Sequence, residues 1–186
     1  MARTLAVEDL PNYTYDDYVN WEGRWEVIHG IPYAMAPSPT YKHQSLSHRI
    51  AGQLYRLLEH SKFCHAVLPV DWEIRKDTVV QPDNMVVCGE NADDKKLTIA
   101  PVLVFEILSP STAAKDKMLK YKLYQEAGVK YYCIVDPNQL SADVFVLKQD
   151  KYMDKLSFIQ EGKMVFDLGP CEIAFDFNEV FRKFSK

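Results

Sequence analysis

The sequence predicts an α/β chain, an α+β arrangement built around a mixed sheet, and three observations carry that prediction. Val102 to Leu108 is a nearly continuous apolar run, the signature of a strand covered on both faces, where polar alternation disappears. Leu119, Leu123 and Ala127 then recur at helical spacing, and Tyr131 to Val135 is a second apolar run. Strand, helix and strand within about 35 residues make a right-handed crossover with parallel strands. Beyond Asn138 the pattern changes to short alternating runs, which read as antiparallel hairpins.

With 186 residues, 47% hydrophobic and 26% charged, the chain is long enough to bury one substantial core, so a single domain over 1–186 is expected. The first residues, Met1 to Pro11, hold too short an apolar run for a signal peptide, and no stretch reaches the ~20 apolar residues of a membrane helix. A cytoplasmic protein without a membrane contact is the expectation. The four cysteines, Cys64, Cys88, Cys133 and Cys171, are widely spaced and form no Cys-x-x-Cys pair, so reduced cysteines are expected and no zinc site is signalled. A net charge of -4 argues against a nonspecific nucleic-acid coat, which needs excess Lys and Arg, but leaves room for a local basic patch.

Thr14 followed by Asp17 predicts a capping box before a short helix, Tyr15 to about Trp21. Trp25 to Ile28 and Ile31 to Met35, separated by His29-Gly30, predict a hairpin. Pro37-Ser38-Pro39 must be extended or turned. From His43 to about His60, Leu46, Ile50, Leu54, Leu57 and Leu58 form one apolar helical face. Ala66 to Ile74 and Thr78 to Cys88 read as two strands joined near Lys76-Asp77. A helix from about Asp116 to Ala127 ends at Gly128, and the strand from Tyr131 is stopped by Asp136-Pro137. The later strands are Asp143 to Leu147, Ser157 to Ile159, Met164 to Asp167 and Cys171 to Phe175.

The chemistry begins with Glu106, a carboxylate inside the apolar run. Unpaired and buried it would cost several kcal/mol, so a proton, a cation or a metal must compensate it. Asp83 is the second unusual acid, because Pro82 interrupts an otherwise regular strand, and such breaks re-aim side chains beside active sites. If the two strands are neighbours, both carboxylates converge on a divalent cation such as Mg²⁺ or Mn²⁺, with the Ile107 backbone carbonyl as a third oxygen.

Local sequence leaves other roles open. An Asp beside Pro is commonly a turn residue. Asp116 and Lys120, four apart, suit an ordinary surface pair. His43 suits a helix-start hydrogen bond, Glu26 a solvated or structural hairpin acid, and Tyr121 and Tyr124 core and rim packing.

Glu106-Ile107-Leu108-Ser109-Pro110-Ser111-Thr112, with Asp116, Lys120, Tyr124 and Ala127-Gly128-Val129-Lys130-Tyr131-Tyr132-Cys133-Ile134-Val135-Asp136-Pro137, resembles the Uma family of restriction-endonuclease-like proteins. The resemblance extends upstream through Trp25-Glu26-Val27-Ile28-His29-Gly30, Pro37-Ser38-Pro39 with His43-Gln44, and Gln81-Pro82-Asp83, so it covers roughly Thr14 to Pro137. It implies the PD-(D/E)XK nuclease fold, with an αβββαβ core, an N-terminal hairpin and C-terminal antiparallel strands. It also implies a Mg²⁺- or Mn²⁺-dependent endonuclease hydrolysing phosphodiester bonds, with nucleic acid, chiefly DNA, as partner and a homodimer as the assembly such folds often adopt.

Asp83 takes the Pro-Asp position and Glu106 the following acidic position. Position 108, where a lysine is usual, is Leu, and the basic group is supplied instead by the next helix at Lys120. The implied catalytic set is Asp83, Glu106 and Lys120, with Asp83, Glu106 and the Ile107 carbonyl on the metal and Glu26, His43 and Asp116 in support. The broken motif and acidic charge also suit an alternative, a nuclease-like module that has lost catalysis and binds nucleic acid or a protein.

Overall fold

A computed structural model describes residues 11–35, 38–109 and 115–184. Pro37, Ser111, Thr112 and the N-terminal stretch considered for a signal peptide lie outside the described residues. The chain opens on a one-turn helix, α1 (Tyr15–Tyr18), where the Asp17 carboxylate accepts from both the amide and the hydroxyl of Thr14, each at 2.8 Å. The hairpin follows as β1 (Trp25–Ile28) and β2 (Ile31–Ala34), paired antiparallel. His29 at φ 53° and Gly30 at φ 73° give the two successive left-handed residues that a tight hairpin turn requires. Next comes α2 (Tyr41–Leu58), capped by Thr40, whose hydroxyl accepts from the His43 amide at 3.2 Å.

The two predicted strands between 66 and 88 are each divided. Their pieces are β3 (Cys64–Val67), β4 (Trp72–Arg75), β5 (Thr78–Val80) and β6 (Asn84–Cys88), and they belong to two different sheets. The divisions fall at Pro69 and Pro82, residues that cannot donate to a ladder and so mark where a strand leaves its sheet. β4 and β5 form the hairpin foreseen at Lys76-Asp77 and join β1 and β2 in a four-stranded sheet of order β2-β1-β5-β4.

β3 and β6 enter a six-stranded sheet that also holds β7 (Leu103–Ile107), β8 (Tyr131–Asp136), β9 (Ser141–Lys148) and β10 (Lys151–Ile159), in the order β10-β9-β8-β7-β6-β3. β7 and β8 are parallel and every other pair in this sheet is antiparallel. Read through α2, β3, β6, β7, α3 (Tyr121–Glu126) and β8, the centre of the molecule is the expected αβββαβ unit. The helix expected from Asp116 is a π-helical segment, Lys115–Lys120, running into α3, with Gly128 at φ 81° just past its end.

The C-terminal strands β11 (Lys163–Asp167) and β12 (Glu172–Asp176) form a separate antiparallel pair. A terminal helix, α4 (Phe177–Phe181), adds an element that the sequence pattern does not announce. It is a single short turn started by Asp176, whose carboxylate accepts from the Asn178 amide at 2.9 Å, too brief to show a helical period.

Period-two alternation along β7 sorts its side chains between two cores. Leu103, Phe105 and Ile107 pack with Leu46, Ile50 and Leu54 of α2 and with Phe166 and Phe175 of the C-terminal hairpin. Val104 points the other way, into a cluster with Trp72, Tyr124 and Tyr132. Glu106 continues that second row and is therefore carried into an apolar layer beneath α3.

The expectation of four reduced cysteines is corrected. Cys64 and Cys88 are disulfide-bonded, while Cys133 and Cys171 are free. The sequence separation of 24 hides that antiparallel β3 and β6 place the two residues directly opposite each other. Because the bridge closes a loop across residues 24 apart, replacing Cys88 by Ser is expected to lower stability by about 3 kcal/mol. A guanidinium unfolding midpoint unchanged by that substitution, and by reductant on the parent chain, is the contrary result.

Candidate active site

Asp83 lies one residue before β6. Asn84 pairs with Phe105 and Met85 with Val104, so Asp83 comes in beside the end of β7 that holds Glu106 and Ile107. Pro82 ends the preceding ladder, and Asp83 turns its carboxylate to the end of β7, where Oδ2 accepts from the Ile107 amide at 2.8 Å. The same oxygen lies 3.2 Å from His43 Nε2, supplied by the first turn of α2. His43 therefore does both things considered for it, its amide joining the helix cap and its ring meeting Asp83. Burial pushes the His43 pKa down, but the hydrogen bond and charge of Asp83, and the Ile107 carbonyl beside the ring, outweigh it and leave it raised.

Glu106 is 3% exposed. Its Oε1 accepts from Lys120 Nζ at 2.8 Å and from the Tyr124 hydroxyl at 2.7 Å. Tyr124 is thus more than packing: its ring stacks on Trp72 at 5.6 Å while its hydroxyl steadies the carboxylate. Tyr121 does pack, edge-on against Phe145 at 5.0 Å. Burial, with the nearby carboxylates of Asp116, Asp83 and Glu26, pushes the Glu106 pKa up to about 8 against the pull of Lys120.

Lys120 is the hub of a buried charge cluster. Beyond Glu106 it meets Glu26 Oε1 at 2.8 Å and Asp116 Oδ1 at 3.7 Å. The surface pair considered for Asp116 and Lys120 is corrected: the two do meet, but at 2% and 3% exposure they are inside the protein. Glu26 is fully buried rather than solvated. It takes the Gln81 amide at 3.1 Å and Lys120 on Oε1, and Lys115 on Oε2. Desolvation works to raise the Glu26 pKa, and the two ammonium groups overcome it to hold the carboxyl below its ordinary value. Lys120 is pushed the opposite way, well up, because its three carboxylates outweigh its own burial.

The π-helical segment explains how two lysines reach one glutamate. Residues five apart diverge by roughly 140° around an α-helix of 3.6 residues per turn, whereas i→i+5 bonding stacks them. Lys115 and Lys120 consequently approach the two oxygens of Glu26 from the same side. The Tyr132 hydroxyl pins the segment by donating to the Asp116 carbonyl at 2.9 Å.

A cavity of about 360 Å³ opens over this cluster. Asp83, Glu106, Asp116 and Lys120 line its inner part, with His43, Gln44 and Ser47 of α2 and with Arg24 and Lys115. Sequence reasoning brought forward Asp83, Glu106, Lys120, Glu26, His43 and Asp116, and the structure gathers all six around the one cavity. It did not find Lys115, Arg24 or Gln81. The spacing of Lys115 from Lys120 was visible, but it becomes a signal only once the helix is known to be π.

The family described as "Putative restriction endonuclease", Uma2, matches residues 13–168. The chain belongs to the Uma2 family. Among solved structures, a protein from Anabaena variabilis described as a putative nuclease superposes with a TM-score of 0.73, covering 91% of this chain and 97% of that one at 18% identity, which shows a common fold. No curated protein matches the chain. As a Uma2 chain it departs from the usual nuclease motif at Leu108, which packs in the core at 8% exposure, two residues past Glu106. The ammonium that meets Glu106 arrives from the helix side, at Lys120.

Proposed function

We propose that this chain is a Mg²⁺- or Mn²⁺-dependent endonuclease that hydrolyses phosphodiester bonds in DNA. One observation carries the reading: Asp83, one residue before β6, and Glu106, in the adjacent antiparallel β7, line the same open cavity. Membership of a restriction-endonuclease family supports it.

The donor set suits a hard divalent cation. Among the described residues no group of three or more His, Cys, Asp or Glu is arranged to hold a metal. Two carboxylates and a carbonyl, completed by waters, are what Mg²⁺ accepts. Glu106 receives its hydrogen bonds on Oε1 and Asp83 on Oδ2, so one oxygen of each is left for a ligand.

Asp83, Glu106 and the Ile107 carbonyl would hold the ion. When bound, it polarises a phosphate and lowers the pKa of a bound water. His43 and the Ile107 amide fix the Asp83 carboxylate, and Tyr124 and Lys120 fix that of Glu106. Lys120 also keeps a positive charge beside Glu106, favouring its ionised form.

Purified protein with supercoiled plasmid and Mn²⁺ is expected to give nicked and linear products, and the Asp83→Ala variant none. Identical product patterns from the two across metals and substrates would remove the enzyme reading. A second reading, a catalytically inactive nuclease-like binding module, is favoured by Leu108 and by the burial of Lys120 among Glu106, Glu26 and Asp116. Calorimetry separates the two: Mn²⁺ binding that disappears in Asp83→Ala belongs to the enzyme, and no such binding belongs to the module.

A further inference from the structure

Lys120 cannot readily meet a substrate. An ammonium has three donors, and Lys120 meets Glu106 and Glu26 at 2.8 Å each, with Asp116 at 3.7 Å, in a residue that is 3% exposed. Lys115 is in a different position. It lines the cavity, its side chain retains 13% exposure, its one carboxylate partner among the described residues is Glu26, and its ammonium lies 5.5 Å from the centre of the Tyr33 ring. Arg24, exposed just before β1, lines the same cavity. Its Nη2 donates to Gln81 Oε1 at 3.1 Å, and among the described residues it has no carboxylate partner.

Glu26 connects these groups. Fully buried at the base of the cavity, it holds Lys115 with one oxygen and Lys120 with the other. Gln81 ties the arrangement together, donating its backbone amide to Glu26 and accepting from Arg24 on its side-chain oxygen. Arg24 is exposed and Lys115 partly so, while Glu26, Glu106 and Asp116 are buried. An anionic group with a polyanionic backbone fits that order, its phosphate at Lys115 and Arg24 and its reacting bond above Asp83 and Glu106.

We propose that Lys115 and Arg24 are the phosphate-holding residues of this site, that Glu26 positions Lys115 for the task, and that Lys120 stays with the buried carboxylates. The proposal rests on the nuclease reading and adds to it the groups that bind substrate. It also suits a chain of net charge -4, which has to grip a backbone through a few local cations rather than a broad basic face.

The test is plasmid cleavage in Mn²⁺ over a salt series, with KM and kcat measured separately for the parent, Lys115→Met, Lys115→Arg and Arg24→Met. Lys115→Met is expected to raise KM about tenfold with kcat much less affected, the worth of one charge-assisted hydrogen bond. It should also lower the slope of log affinity against log salt by about one. Lys115→Arg should restore both. Arg24→Met should shift KM and slope in the same direction, and because Arg24 is exposed and touches no buried acid, that variant does not depend on the integrity of the buried cluster. A parent that cleaves, with variants of unchanged KM and salt slope, overturns this assignment and leaves the nuclease reading intact. A parent that neither cleaves nor binds plasmid overturns both.

Discussion

Lys120→Met is expected to be the most destabilising single substitution in the site, by about 3–5 kcal/mol, the loss that follows when one partner of a buried ion cluster is removed. Methionine nearly preserves volume and apolar stem, so packing is a minor part of the effect. What changes is that Glu106 and Asp116 lose their cation, and Glu26 keeps only Lys115. For a chain of this length such a loss lowers Tm by roughly 6–20 °C. Lys130 supplies the comparison. It also makes a short ion pair, 2.7 Å to Asp167, but the two side chains are 36% and 52% exposed. Lys130→Met should therefore cost no more than about 1 kcal/mol. Thermal and urea unfolding of both variants decides the matter, and a Lys120→Met protein as stable as Lys130→Met would show that the cluster does not depend on its central ammonium.

The α2 helix and the β7–α3–β8 crossover were legible because their signals are local, while the αβββαβ order came through the family resemblance. The β7 run, the α2 stripe and the stop at Gly128 each name an element from neighbouring residues, and the elements allow few connections. Glu106 was legible for the same reason, since an acid within an apolar run demands a partner whatever the fold. The less visible features depend on distant segments meeting. Cys64 finds Cys88 only through strand register, and the divided strands around Pro69 and Pro82 are assigned to separate sheets only once β1 is present to pair with β5.

The site divides along the same line. Asp83 was marked by Pro82, whereas the partnership of Glu26 with two lysines required a hairpin, a strand edge and a π segment to converge. Asp116 was left open between a surface pair with Lys120 and a supporting place in the site, because an i,i+4 acid–lysine spacing is usually solvated. Here the second sheet closes over that face, and the pair is sealed inside with Glu26 and Glu106.

Glu106→Gln should do nearly the reverse of Lys120→Met, and the contrast follows from the count of charges. The cluster has more carboxylates than ammonium groups, so removing a negative charge relieves it. Burial already disfavours the ionised Glu106, whose pKa is pushed up to about 8. The glutamine amide oxygen can still accept from Tyr124 and Lys120, and Lys120 keeps Glu26 and Asp116. Stability is therefore expected to stay within about 1 kcal/mol of the parent or to rise, as when buried charges give way to neutral groups of similar shape. Cleavage in Mn²⁺ should nonetheless fall by about 10³-fold or more, because a neutral amide is a poor ligand and several kcal/mol of charge stabilisation goes with the ion. Introduced into Lys120→Met, Glu106→Gln should recover part of the lost stability, a coupling that contacting residues show and distant ones do not. Parallel unfolding and plasmid assays test all three expectations. A Glu106→Gln protein that cleaves at the parental rate would take Glu106 out of the reaction and leave it as one more counterion of Lys120.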